Sequence, residues 1–243
     1  MLDPSLQQIL QSYKELLENV DKKCAEILKL APEIPCRKGC TDCCKQIFPL
    51  SLIEAFYINE NFKTLDRNHR RAIARKAKNA QEKLNKLNLK KYETQTDSLE
   101  EISTKRNDFA NEIRNSNIVC PLLGYDNLCT LYNARNHDCR IHGVGFDSSS
   151  REIVGCHRYK KIPIDTKLLI DSGYLYKEKS KLDSLLTVHL SQNPELNYCY
   201  YFTTPFVPLL KDFAEQDWKK FFAGHAAQDK VVKKYSLLID NAF

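Results

Sequence analysis

A chain of 243 residues with 42% hydrophobic side chains has ample material for a core, which excludes an intrinsically disordered protein. Only 7 glycines are present to make turns, so a sheet-rich fold with many tight hairpins is disfavoured and a mainly α fold is expected. The formal net charge of +6 is concentrated in one place: residues 63–91 hold eleven Lys/Arg against Asp66 and Glu82, and the remainder is slightly acidic.

The N-terminus, MLDPSLQQILQSYKELLENV, has no basic start, apolar h-region or small-residue cleavage site, so a signal peptide is not expected. No run approaches the ~18 apolar residues of a membrane span. A cytoplasmic protein without membrane contact is therefore expected. In that compartment thiols stay reduced, so ten cysteines point to metal ligands or redox groups before disulfides.

In chain order, apolar side chains from Leu6 through Tyr13, Leu17 and Val20 to Ile27 recur at about 3.6 residues and predict a helix over 5–30. Cys24 lies on that stripe as a buried core thiol. Pro32 and Pro35 end the helix and lead into Cys36-Arg-Lys-Gly-Cys40-Thr-Asp-Cys43-Cys44. The S-x-x-E pattern Ser51–Glu54 is a capping box opening a helix over 51–61. A basic helix over 64–92 and a helical segment over 97–115 follow, a helical insertion of about 62–115. Residues 119–156 hold Pro121, Gly124, Gly143, Gly145 and Gly155 and should be loop-rich. Beyond Pro163, helices are expected over 165–172 and 176–191, the latter with Leu182, Leu185, Leu186 and Leu190 on one face. Residues 198–210 contain two prolines and read as an extended packing segment, not a central strand. Two helices, 211–223 and 228–240, complete a single domain whose part beyond residue 160 is helical.

The chemistry lies in the cysteines. Cys40-x2-Cys43 is a tight knuckle, Gly39 permits the bend before it, and Cys36 adds a thiolate one turn away. Adjacent side chains point in different directions, so Cys43 and Cys44 do not easily share one metal. Cys120, Cys129, Cys139 and Cys156 are widely spaced singletons, without the second CxxC pair of a zinc ribbon. Soft thiolates suit zinc, copper(I) or iron–sulfur clusters. The spread leans towards an iron–sulfur cluster, or two interleaved sites, with zinc close behind. The C-x3-C-x2-C spacing is also that of radical S-adenosylmethionine enzymes, but those place it after the first strand of a β/α barrel, and here it follows a helix. His137, His142 and His157 lie near cysteines and are lesser ligand candidates; Cys199 is most simply core.

The run Cys36-x2-Gly39-Cys40-x2-Cys43-Cys44, then Cys120-Pro-Leu-Leu, Cys129-Thr-Leu-Tyr-Asn-Ala-Arg135 and Cys139-Arg140, resembles the YkgJ-type cysteine-cluster family over about 36–156. That family is described as zinc- or iron-chelating, with eight cysteines in this order and no generally established activity. The resemblance implies that Cys156 is the eighth cysteine and that Glu54, Arg135 and Arg140 match the family's glutamate and two arginines. Asn136 replaces the family's usual proline. Guanidinium groups beside thiolates would stabilise their negative charge, with Arg140, next to Cys139, as the stronger candidate.

Three functions compete. The first is a metal-binding protein whose cluster has a redox or electron-transfer role. The second is a structural zinc site in an interaction module whose basic helix, 63–91, meets an acidic protein partner or nucleic acid. That helix lacks aromatics for base stacking. The third is a metal-dependent modifying enzyme, by analogy with flagellin lysine methylases, which carry a similar cluster. Against it, the chain holds no glycine-rich cofactor loop and no nucleophile elbow.

Overall fold

A computed structural model of the chain describes residues 2–45, 47–147, 153–156, 158, 169–226 and 235–240. The N-terminal stripe forms helix α1 (Pro4–Leu30), with Asp3 as its N-cap, accepting from the Ser5 N–H at 2.9 Å. Its 27 residues span about 40 Å, enough to serve two cores. Leu6, Leu10, Tyr13 and Leu17 enter a large core with Phe56, Phe109, Phe206, Phe213 and Trp218. Val20, Cys24 and Ile27 enter a smaller one with Ile34, Ile141, Val144, Cys156 and Ile170. Cys24 is buried as expected, its thiol directed at the Arg140 carbonyl.

The mainly α reading holds. Helix α2 (Leu52–Lys63) opens on the Ser51–Glu54 capping box, the Ser51 N–H donating to Glu54 Oε2 at 2.9 Å. Helix α3 (Arg67–Leu84) is capped by Asp66 and buries Ile73, Ala77, Ala80 and Leu84. It is shorter than the sequence pattern suggested, because a single 3-10 turn (Leu89–Tyr92) carries the basic run onward. Helix α4 (Leu99–Asn115) then completes the insertion, which also contributes a strand, β2 (Thr94–Thr96). Residues 119–147 are loop-rich, with one short α-helix, α5 (His137–Ile141), and lead into two short antiparallel strands, β3 (Phe146–Asp147) and β4 (Ile153–Val154).

The C-terminal third departs from expectation. Residues 161–168, and with them most of the helix expected over 165–172, lie outside the described residues. Strand β5 (Ile170–Asp171) leads directly into helix α6 (Ser172–Ser191), so Gly173 lies in a helix's first turn and does not end one. Residues 198–210 contain a genuine interior strand, β6 (Cys199–Thr203). Pro205 and Pro208 fall beyond it, Pro208 in the first turn of α7 (Val207–Leu210), so neither removes a ladder hydrogen bond. Of the last two expected helices, one is displaced to α8 (Trp218–Ala226). Of the other, expected over 228–240, residues 228–234 lie outside the described residues and the rest forms a strand, β7 (Tyr235–Asp240).

These strands make a four-stranded sheet, ordered β1 (Leu50–Ser51), β6, β7, β2. Strands β6 and β7 run parallel, with Tyr201 opposite Leu238, and the outer pairs are antiparallel. A short apolar run such as Tyr235-Ser-Leu-Leu-Ile-Asp240 does not distinguish strand from helix by period; here a long-range partner decides. The sheet matters to the site because β1 leads out of the cysteine stretch and into α2.

Candidate metal centre

The stretch 36–44 is shaped by its own backbone. Arg37 folds back onto the carbonyls of Pro32 (2.6 Å), Ile34 (2.5 Å) and Cys36 (2.7 Å), closing the loop after α1. Gly39 takes φ +92°, where a side chain is strained. The Cys40 N–H donates to the Arg37 carbonyl and the Cys44 N–H to the Thr41 carbonyl, both at 2.9 Å, so successive turns present the thiols.

Four backbone or capping contacts place the later cysteines. The Cys120 N–H donates to the Cys44 carbonyl at 2.8 Å, and Leu123 pairs with Cys129 across a tight loop. Asn136 caps α5, its side chain accepting from the Cys139 N–H at 2.9 Å. Asn136 thus fixes a cysteine directly. At the other end, the Cys156 N–H donates to the His142 carbonyl at 2.7 Å. Gly143 is packed against Cys36 so closely that an added Cβ would stand 2.2 Å from its Sγ.

Cys36, Cys40, Cys43, Cys44, Cys120, Cys129, Cys139 and Cys156 all line one cavity of about 100 Å³. It lies where the two cores meet: Cys120 and Cys129 pack on the larger, Cys36 and Cys156 on the smaller. A buried water needs ~10–15 Å³, so the cavity has room for a multi-atom body or two ions. The thiols form a lining and not a closed shell: among the described residues no three His, Cys, Asp or Glu side chains are grouped to share an ion. As a donor set, eight soft sulfurs around one cavity fit iron–sulfur or zinc, and Asp42, which also lines it, pairs with Arg158.

Burial raises the thiol pKa of Cys36, Cys129 and Cys139, and pushes that of Cys120 up to about 12. Cys43 is raised first by its hydrogen bond with Cys44 and then by burial. The doublet therefore meets as a pair of thiols at the middle of the set. Metal binding at these sulfurs would have to displace their protons.

The two arginines exchange the roles suggested by sequence position. Arg140 is turned from the thiols: it pairs with Asp21 of α1 and donates to the carbonyls of Asn133 (2.6 Å) and Arg135 (2.9 Å). Arg135 lines the cavity. Among the histidines, His142 also lines it, stacked edge-on against Phe48, while His157 lies outside the described residues. His137 is not aimed at the sulfurs; its Nδ1 meets Glu54 Oε1 at 2.6 Å.

That contact belongs to a buried polar group the sequence did not reveal. Glu54 (1% exposed) also receives Lys179 Nζ at 3.1 Å, and the hydroxyl of Tyr13 stands 3.4 Å away. Burial alone would raise the Glu54 carboxyl, but Lys179 and His137 hold it well below the usual carboxylate range. Asp183, whose carboxylate accepts from the Ile53 N–H at 2.8 Å, is pushed up to about 6 by burial. The group ties α2, α5 and α6 together immediately behind Cys139. One signal existed: Lys179 falls on the same face of α6 as Leu175 and Leu186, four and seven residues away.

The chain matches no protein-family model, no curated protein and no solved structure.

Proposed function

We propose that this protein binds an iron–sulfur cluster in the eight-cysteine cavity and uses it in electron transfer. One observation carries the reading: eight thiols from segments more than seventy residues apart line a single cavity with room for more than one ion. Lining one cavity with that many half-buried thiols gains nothing that alanine or valine would not supply, whereas thiolates are what hold a cluster. The order of the cysteines adds support, because it resembles that of the YkgJ-type zinc- or iron-chelating family. The expected result is a brown protein after anaerobic purification, with visible absorption that dithionite bleaches. A colourless protein with zinc at the cysteines would replace the redox role with a structural one.

A second reading concerns partners. Arg67, Arg70, Arg71, Arg75, Lys78 and Lys83 of α3 are exposed and, among the described residues, form no ion pair. Lys76 bolts the same helix to the loop between Cys120 and Cys129, donating to the Leu123 carbonyl at 2.9 Å and covering the Tyr125 ring at 4.5 Å. An acidic partner protein held by α3 would thus lie beside the cysteine cavity, and electrostatic steering would speed its arrival. Nucleic acid is the competing occupant. RNA retained at low salt and displaced by it would favour nucleic acid; failure to retain RNA at low salt would remove it.

A further inference from the structure

Among the described residues, no carboxylate neutralises the charge of Arg135. Its Nε donates to the Tyr132 carbonyl at 3.0 Å, and its guanidinium carbon stands 3.6 Å from the centre of the Tyr132 ring. Neither partner is anionic, and among the described residues it forms no ion pair with a carboxylate. The other guanidinium groups of the cavity wall are engaged elsewhere, Arg37 with backbone carbonyls and Arg158 with Asp42 at 2.7 Å. Arg135 lines the same cavity as Cys36, Cys43, Cys129 and Cys139. A partly buried cation without a counter-ion is costly, and neutral thiols do not relieve that cost. Thiolates on iron would.

The placement is enforced. Arg140 is buried, and its planar fork spans the carbonyls of Asn133 and Arg135 on one side and the Asp21 carboxylate of α1 on the other. It clamps the 133–135 backbone to α1 and so sets the origin of the Arg135 side chain. A lysine could not bridge three acceptors in this fixed plane.

We propose that Arg135 is the charge-compensating residue of the cluster, raising its midpoint potential, and that Arg140 is the positioning residue that holds it there. The inference rests on the iron–sulfur reading. A positive charge beside a cluster stabilises the electron-richer, reduced form, and removing it disfavours reduction.

The test is an anaerobic, dye-mediated optical titration of the full chain, as wild type and variants, each assayed for iron and sulfide. Arg135→Gln should keep its iron and lower the reduced-to-oxidised ratio at fixed potential about tenfold, which is about 59 mV for a one-electron couple. Arg135→Lys should stay close to wild type. A Gln variant with wild-type iron and an unchanged midpoint overturns the proposal, as does a Lys variant that shifts as far as Gln. Should the Gln variant hold no cluster, Arg140→Lys carries the test: it should shift the midpoint the same way by a smaller amount, and no shift overturns the positioning role. If wild type itself takes up no iron and sulfide, the cluster reading fails and this inference falls with it.

Discussion

Replacing Glu54 with glutamine should destabilise this protein severely although the residue touches no cysteine. The change keeps the side-chain size and removes one charge. Lys179 (6% exposed) and His137 (1% exposed) would then face a neutral amide in a place where water does not reach. Removing one partner of a buried ion pair costs about 3–5 kcal/mol. For a chain of this size each kcal/mol moves Tm by about 2–4 °C, so the expected loss is roughly 6–20 °C. Denaturant unfolding at pH 7, followed by far-UV circular dichroism, would measure it. Adding Lys179→Met should recover part of the loss, because the uncompensated ammonium is gone. A Glu54→Gln variant within about 1 kcal/mol of wild type would refute the reasoning, as would two substitutions whose effects add in full.

Three further outcomes follow from the same structure. Because the folded-state pKa of Glu54 is depressed, its contribution is complete above its unfolded value of about 4.3 and is lost as pH falls below it. Wild type should therefore lose stability in acid more steeply than Glu54→Gln when both are unfolded in urea across that range. Gly143→Ala would place a methyl 2.2 Å from Cys36 Sγ, so metal content should fall and stability drop by about 1–3 kcal/mol, read by elemental analysis and denaturant titration. Cys40→Ser should lower metal content and stability together, since metal binding is coupled to folding; if both were unchanged, the cavity would not be the metal site.

What could be read from the sequence was what repeats locally. The α1 stripe recurs every three or four residues and the Ser51–Glu54 box closes within four, and both are present. The eight cysteines were visible as a set, and in the structure they all line one cavity. Pairings between distant segments left little trace. Strand β7 is a strand because β6, 37 residues earlier in register, lies parallel to it, and nothing inside 235–240 announces that. The arginines show the same limit. Arg140 adjoins Cys139 in sequence, yet α5 turns its side chain towards Asp21, and the 3-10 turn Tyr132–Ala134 delivers Arg135 to the sulfurs instead. The Glu54 group joins residues 54, 137 and 179, so only the lysine on an apolar helix face hinted at it.

Iron and acid-labile sulfide per chain, measured on wild-type protein purified without oxygen, tests the central claim most directly. The account predicts both, in near-equal amounts and lost together on oxidation. Zinc bound at the cysteines with no sulfide would contradict it.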